Sequence, residues 1–302
     1  MAETTVLEAP VAPPAAVVTD GLTKRYGQLI AVADLDLTVP TGSIFGLIGP
    51  NGAGKSTTFA MFASLLRPTS GRLTVMDADP ARHRAALRAR MGYMPDVLGV
   101  YDNLRVEEYL EFFAASYRIP RHEWPSLVSG LLELVELSVK KDAMVNALSR
   151  GMKQRLSLAR SLVHDPELLI LDEPASGLDP RARVELRELV RTLNAMGKTI
   201  IISSHILAEL EEVCTHVAVM EAGRLLASGT PRTILDDLGR ARSISVRFAD
   251  GTTEEFAVSD DAEQAALLRR LVVDDGRDVV EFVESSGGLE ELFLSITKGV
   301  VQ

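Results

Sequence analysis

The amino-acid sequence predicts an α/β fold built on a mainly parallel sheet. Short apolar runs recur along the chain, of the kind that a strand covered on both faces requires: Leu168–Leu171, 199–202 and 217–220. A helical pattern separates the first two runs, with Pro180 before it and Gly197 after it, and a second one follows at 206–214. Strand and helix therefore alternate, which favours parallel pairing of the strands.

Two segments depart from this alternation. Leu35, Leu37 and Val39 alternate with polar residues up to a turn at 40–42, which predicts a half-buried strand. Residues 96–146 are rich in aromatic side chains and show helical periodicity with little strand character. We therefore expect a half-buried strand that contains Leu35, Leu37 and Val39, and a helical insertion at about 96–146.

The two ends of the chain differ in composition from the middle. Residues 1–16 are rich in alanine and proline, and we expect a disordered leader there. In 239–302, alternating apolar residues flank a turn at 250–251, which predicts a hairpin. A helix at 262–272, a strand at 279–283 and a last helix at 289–296 would complete a small α+β domain. The main domain is then 17–238.

Composition limits the classes of function that are open to the 302 residues. The formal net charge is −10, so we expect no broad attraction to nucleic acid. No apolar run approaches the roughly 20 residues that cross a bilayer. The single cysteine, Cys214, cannot form a disulfide within the chain, which fits a reducing, cytoplasmic setting.

The strongest chemical signal is GPNGAGKS at 49–56, directly after the apolar run Ile44–Ile48. This is the pattern of a phosphate loop, placed where a strand ends and a helix begins. We predict a helix over about 55–66. The predicted nucleotide-binding residues are Gly49, Pro50, Asn51, Gly52, Ala53, Gly54, Lys55, Ser56 and Thr57.

The residue types in this loop follow from the chemistry of phosphate binding. Its glycines permit a backbone curl whose N–H groups point at anionic oxygens, and the helix adds the positive end of its dipole. Lys55 can reach the β- and γ-phosphates, and the Ser56 hydroxyl can coordinate Mg²⁺. A glycine-rich turn that matches the pattern by chance is the alternative.

A second predicted element is a pair of carboxylates after the apolar run Leu168–Leu171. Asp172 would bind the metal, directly or through water, and Glu173 would face the attacking water as general base or polarising group. An Asp–Glu pair after an apolar run is common by itself. The phosphate loop earlier in the chain makes the pair informative.

The segment LSRGMKQR at 148–155 resembles the signature sequence of ABC-type ATPases, usually written LSGGQ, in a variant similar to that of the drug- and ion-exporting branch. Ser149 offers a hydroxyl, and Gly151 a backbone N–H, at the start of a helix. The resemblance implies that Ser149, Arg150, Gly151 and Met152 point at the γ-phosphate of an ATP held by another subunit's phosphate loop. An ordinary N-capped helix is the alternative.

Three further positions match the same family. Tyr26 matches the aromatic residue that stacks on adenine, although a lone tyrosine is more often a packing residue. The sequence SGLDP at 176–180, which contains Asp179, matches the D-loop that crosses the dimer interface. His205 follows a strand and matches the switch histidine that contacts the γ-phosphate and helps to position water.

One position departs from the family pattern. Asp96 stands where family members usually carry Gln, or Glu in some members of this branch, at the hinge to the helical insertion. The side chain of Asp96 is at least one methylene shorter. Any contact with the metal would therefore pass through water, or the loop would have to move inward.

The resemblance implies an ABC cassette of the P-loop NTPase class, with an antiparallel β edge beside the mainly parallel sheet. Such a cassette binds and hydrolyses ATP with Mg²⁺. Two copies, or this chain and another ABC ATPase, would enclose two ATP molecules. A separate transmembrane permease would carry the exported substrate, with the ATPase peripheral on the cytoplasmic face of the cell membrane. The alternative is a soluble ABC-type ATPase with a non-transport role. Such proteins usually carry two cassettes or a long coiled coil, and neither pattern is present in this sequence.

Overall fold

The structure, a computed structural model, describes residues 14–205, 210–237 and 242–284. The strands in these residues are β1 (Ala15–Tyr26), β2 (Leu29–Pro40), β3 (Ile44–Ile48), β4 (Ser70–Val75), β5 (Met91–Met94), β6 (Leu168–Leu171), β7 (Thr199–Ser204), β8 (His216–Glu221), β9 (Arg224–Gly229), β10 (Arg242–Phe248), β11 (Thr253–Val258) and β12 (Val279–Glu284). The helices are α1 (Lys55–Phe62), α2 (Arg84–Arg88), α3 (Val106–Ser116), α4 (Trp124–Leu134), α5 (Arg150–Leu162), α6 (Pro180–Ala195), α7 (Pro231–Asp237) and α8 (Asp261–Arg269).

The central sheet has six strands in the order β5-β6-β7-β3-β8-β9. The first five run parallel, and β9 pairs antiparallel with β8 at the edge. The predicted parallel sheet with an antiparallel edge is therefore confirmed. Of the predicted helix 206–214, residues 206–209 lie outside the described part of the chain.

The central strands are buried because apolar side chains leave both faces of the sheet. In β3, Ile44 and Ile48 enter one hydrophobic cluster, whereas Phe45 and Leu47 enter the cluster on the other face. All five residues of β3 are buried. A strand with this environment needs apolar residues at every position, which is why its sequence run is continuous.

A second sheet is antiparallel, in the order β2-β1-β4. Leu35, Leu37 and Val39 of β2 are buried, which confirms the predicted half-buried strand. The predicted disordered leader, 1–16, extends too far. Ala15 pairs with Pro40, and the strand β1 begins there, while residues 1–13 lie outside the described part of the chain.

The segment predicted as a helical insertion contains α3, α4 and short turns of 3₁₀ helix. The helices face the same cluster as one side of the central sheet, through buried residues such as Tyr109, Leu110 and Leu132. The extent of this segment as a unit, about 96–146, stays a prediction.

The helix after the phosphate loop is shorter than the predicted 55–66. It ends at Phe62, because Ser64 adopts a left-handed backbone with φ 55°. The N–H groups of Leu65 and Leu66 then both donate to the carbonyl oxygen of Ala60, which satisfies the end of the helix.

Residues 242–284 form a third sheet, in the antiparallel order β11-β10-β12, with α8 after the hairpin. Ile244, Val246 and Phe248 of β10 pack with Leu267 of α8 in a hydrophobic cluster separate from those of the central sheet. The predicted last helix, 289–296, lies outside the described residues. The division of the chain at 238–239 stays a prediction.

Across the described part of the chain, no helix is both long enough and apolar enough to cross a membrane.

Two glycines offer a matched test of these backbone assignments. Gly71 has φ 82°, and a Cβ there would overlap the Gly21 carbonyl of β1. Gly71→Ala is therefore expected to lower the free energy of unfolding by roughly 2 kcal/mol or more. Gly130 is exposed inside α4, and a Cβ added there would meet no other atom. Gly130→Ala is therefore expected to raise the free energy of unfolding by about 0.5–1 kcal/mol. Urea unfolding measures both values, and a Gly71→Ala protein as stable as wild type would contradict the strand pairing.

Candidate functional site

Three neighbouring strands of the central sheet, β6, β7 and β3, run parallel and therefore end at the same edge. The loop 49–54 follows β3, Asp172 and Glu173 follow β6, and His205 follows β7. Ligands of parallel sheets bind beyond the carboxyl ends of the strands. The fold thus brings together predicted site residues that are far apart in the sequence.

The loop 49–54 passes so close to its neighbours that side chains are excluded at two positions. Gly54 has φ 100°, and a Cβ there would overlap the carbonyl oxygen of Ala31 in β2. A Cβ at Gly49 would overlap the carbonyl oxygen of Met220 in β8. The two glycines therefore allow the loop to curl tightly between these strands.

The side chain of Lys55 is buried, with Lys55 only 6% exposed. Its ammonium donates to the carbonyl oxygens of Gly49 at 2.6 Å and Pro50 at 3.3 Å. The same group lies 3.2 Å from Oε1 of Glu173. A buried ammonium needs such partners, because burying it unpaired is very unfavourable. These oxygens hold the positive charge directly beside the phosphate loop.

Asp172 is 2% exposed, and its Oδ1 accepts a hydrogen bond of 2.7 Å from the Ser203 hydroxyl of β7. Burial raises the pKa of Asp172 above its ordinary value of 3.8. Hydrogen bonds from the hydroxyls of Ser203 and Ser56 act in the opposite direction, and the negative charges of Glu173 and Asp96 raise the pKa further. The ionised carboxylate is therefore disfavoured, and a bound cation would stabilise it.

Glu173 has a left-handed backbone, with φ 49°. Such a conformation costs about 1–3 kcal/mol in a residue with a side chain and is typical of functional sites. The Glu173 N–H donates to the Ser203 hydroxyl at 2.8 Å, which helps to hold the turn. The carboxylate lies between two groups, because Oε1 faces Lys55 and Oε2 lies 2.8 Å from Nδ1 of His205.

The residues present fit a magnesium ion that is completed by phosphate oxygens. Within 14–205, 210–237 and 242–284, no group of three or more His, Cys, Asp or Glu residues could hold a metal ion. The Ser56 hydroxyl donates a hydrogen bond to the Asp172 carboxylate. Mg²⁺ keeps several waters and takes one or two protein oxygens together with substrate phosphates. Asp96 is exposed and acts on Asp172 as a nearby negative charge.

Tyr26 ends β1 with 49% of its surface exposed. The Lys24 ammonium lies 5.2 Å from the centre of its ring. Tyr26 pairs with Leu29, and the following strand β2 reaches the phosphate loop at Ala31. An exposed aromatic ring thus lies in the hairpin that adjoins the loop, and its stacking on adenine stays a prediction.

The predicted signature residues begin α5. Ser149 caps this helix, since its Oγ accepts a hydrogen bond of 3.3 Å from the Met152 N–H, and both Ser149 and Arg150 are exposed. The exposed N-terminus of α5 is therefore suited to an anion. Asp179 caps α6 in the same way, through the Ala182 N–H at 2.9 Å.

The two predicted groups of nucleotide-binding residues are not joined within the chain. Among the hydrogen bonds and ion pairs of the described residues, none connects 149–152 with 49–57. Lys55, Asp172, Glu173 and His205 are instead brought together with the phosphate loop.

Two residues that hold this site were not predicted from the sequence. Ser203 joins β7 to both Asp172 and Glu173. Gln154 is buried and donates to the Ser176 carbonyl oxygen in the D-loop. For Ser203, the only signal in the sequence was a polar residue at the end of an apolar run. For Gln154, the only signal was a polar residue on the apolar side of α5.

These observations define the class of the protein. A glycine-rich loop lies between a buried strand and a helix that begins with a buried lysine. A buried aspartate followed by glutamate stands at the end of another parallel strand of the same sheet. These are the parts of a P-loop nucleoside triphosphatase.

Comparisons with known proteins identify the family. The ABC transporter family matches residues 32–176. The Nod factor export ATP-binding protein I of Rhizobium meliloti (strain 1021) is 38% identical over 302 residues, covering 94% of this chain and 89% of that protein. Its namesake in Ralstonia nicotianae is 34% identical over 296 residues, covering 92% of each.

Solved structures agree with this assignment. An ATP-binding subunit of an ABC transporter is 31% identical with a TM-score of 0.68, covering 74% of this chain and 93% of that one. The cbiO1 protein of Clostridium perfringens, described as part of the transporter complex cbiONQ, is 28% identical with a TM-score of 0.67 and covers 74% and 92%. This chain therefore belongs to the ABC transporter family, as an ATP-binding and ATP-hydrolysing subunit of the exporter type.

The raised pKa of Asp172 predicts how the site affects stability. Between the ordinary pKa of 3.8 and the raised folded value, the folded state binds more protons, so stability falls as pH rises through this window. Asp172→Asn removes the charge, and its amide oxygen can still accept from Ser203. We expect a higher melting temperature than wild type at pH 7, without nucleotide and with a chelator, and no difference below the ordinary pKa.

The exposed Asp142→Asn is the matched control and should leave the melting temperature unchanged at both pH values. A lower melting temperature for Asp172→Asn at pH 7 would show that the ionised carboxylate is stabilised in the fold.

Proposed function

We propose that this ATPase works as a pair of chains, in which each ATP lies between the 49–57 loop of one chain and residues 149–152 of the other. The observation that carries this proposal is that no hydrogen bond or ion pair of the described residues joins the two groups. In addition, the start of α5 is exposed and its N–H groups are suited to an anion. Both groups are present in one chain, so two copies are enough to build two complete sites. Pairing with another ABC ATPase would use the same surfaces.

The roles of the side chains follow from their positions. The loop N–H groups and Lys55 would bind the β- and γ-phosphates. Ser56 and Asp172 would hold Mg²⁺, which supplies positive charge to the phosphate oxygens when bound. Glu173 would accept the proton of the attacking water, and His205 would orient this water and contact the γ-phosphate. Tyr26 would stack on the adenine.

The contact between Lys55 and Glu173 implies a rearrangement on binding. An anionic phosphate competes with the Glu173 carboxylate for the Lys55 ammonium, because both are negative partners for the same charge. Once Lys55 turns to the phosphate, Glu173 keeps His205 as its neighbour and becomes able to bind water. Phosphate binding therefore frees the Glu173 carboxylate from its contact with Lys55, and Glu173 can then act as the general base.

The predicted helical insertion carries a surface suited to a membrane partner. Tyr101 and Phe112 are 50% and 47% exposed, their rings lie 5.5 Å apart, and Val97 is 80% exposed. Aromatic residues in an exposed cluster are typical of contact sites between proteins. We assign this surface to a separate transmembrane permease, with the ATPase peripheral on the cytoplasmic face of the cell membrane. Closing and reopening of the pair would then move the permease.

Glu173→Gln tests the assignment of the general base. The variant keeps the size of the side chain but cannot accept a proton, so we expect ATP binding to persist while turnover falls by about 10²-fold or more. ATP should then trap the paired form, which sedimentation in the presence of ATP detects.

Glu167→Gln is the matched control, because Glu167 lies at the opposite end of β6 and pairs with Arg90. It should hydrolyse ATP normally. Normal ATPase activity in Glu173→Gln would refute the role given to Glu173.

The permease surface is tested by Tyr101→Ser with Phe112→Ser. Loss of two aromatic contacts is expected to reduce the amount of co-purified permease about tenfold, with ATP binding unchanged. Val139→Ser changes a residue of the same segment that is 90% exposed and should have no effect. Equal recovery of permease with the double variant and with the wild-type protein would place the contact elsewhere.

A further inference from the structure

The D-loop residues 176–178 rest on the first turns of α5 in the same chain. Gln154 of α5 is 5% exposed, and its Nε2 donates to the carbonyl oxygen of Ser176 at 2.9 Å. This hydrogen bond is partly buried, and it fixes the position of the D-loop relative to α5, because leaving the buried amide N–H of Gln154 unpaired is unfavourable.

The next two D-loop residues contact the same helix. Gly177 has φ 71°, and a Cβ there would lie 2.8 Å from Nε and Cζ of Arg150, so the guanidinium covers the glycine closely. A Cβ at Gly151 would lie 3.1 Å from Cδ2 of Leu178. Three consecutive D-loop residues are therefore held against the helix that begins with the signature residues.

Ser176 is connected on its other side to the general base. Its N–H donates to the carbonyl oxygen of Glu173 at 3.0 Å, closing the turn that contains the left-handed Glu173. Gln154, Ser176 and Glu173 thus form a short chain of hydrogen bonds. A shift of α5 along this chain changes the position of the Glu173 backbone.

The structure leaves room for such a shift. A cavity of about 340 Å³ lies between α5 and α6, and Gln154, Pro174 and Leu178 are among its lining residues. The Oε1 atom of Gln154 is buried and has no hydrogen-bond partner in the described structure. The amide of Gln154 is therefore held through its nitrogen, and apolar packing beside the D-loop is incomplete.

We propose that Gln154 is a positioning residue that couples the ATP bound by the signature helix to the general base Glu173 of the same chain. This inference rests on the paired arrangement of the proposed function. In that arrangement the start of α5 contacts one ATP, whereas Glu173 acts on the other. ATP at one site then sets the Glu173 position at the second site through Ser176, and hydrolysis becomes cooperative in ATP.

The test compares Gln154→Met with wild type in the full-length chain. Methionine fills a similar volume but has no donor for the Ser176 carbonyl. ATPase rates over a range of ATP concentrations should give a Hill coefficient near 2 for wild type and near 1 for the variant. We also expect kcat to fall about tenfold and KM to stay within about twofold, because the nucleotide contacts themselves are unchanged.

Gln264→Met, in α8, is the matched control and should behave as wild type. Gln154→Leu also lacks a donor and has a different shape, so it repeats the test if the methionine variant does not fold. A purely structural role would lower the melting temperature and leave the Hill coefficient unchanged, and this result would overturn the inference. A wild-type chain without cooperativity would contradict the paired sites themselves, whereas a cooperative Gln154→Met protein would contradict the role of Gln154 alone.

Discussion

The buried ammonium of Lys55 is the constraint on which the arrangement of the site depends. It is compatible with the fold because the carbonyl oxygens of Gly49 and Pro50 and the carboxylate of Glu173 surround it. These oxygens converge only if β3 and β6 end at the same edge of the sheet, with β7 between them. The continuous apolar runs of these strands, which fill hydrophobic clusters on both faces, hold the edge in place. The packing of the core therefore determines the electrostatics of the site.

Unfavourable features are concentrated at the same edge. Burial raises the pKa of Asp172, and Glu173 occupies a left-handed conformation that few residues with side chains adopt. A cation would stabilise the Asp172 carboxylate, and an anionic phosphate would take over the Lys55 ammonium. The site is thus suited to a metal–phosphate ligand, at some cost to the stability of the protein without it. Among the described residues, no hydrogen bond or ion pair joins the signature residues to the phosphate loop, so in the proposed pair the same ligand would join two chains.

Much of this arrangement could be predicted from the sequence, because the constraints act locally. Every residue of a strand such as β6 must be apolar when both faces are covered, and the phosphate loop needs glycine where other backbones approach it. The end of α1 could not be predicted, since it depends on the left-handed backbone of Ser64. The roles of Ser203 and Gln154 were also missed, because each depends on a contact between elements that only the folded chain brings together.

Mixing two inactive variants shows whether each ATP site is shared between two copies of the chain. Lys55→Ala damages the phosphate loop but keeps the signature, whereas Ser149→Phe blocks the signature but keeps the loop. Each variant alone would form pairs with two damaged sites. A mixed pair would contain one intact site, so mixing should raise ATPase activity well above that of either variant alone. The activity should stay below the wild-type rate, because the intact site lacks a coupled ATP at the other site. If a mixture of the two folded variants stays as inactive as its components, the ATP sites are not shared between two chains.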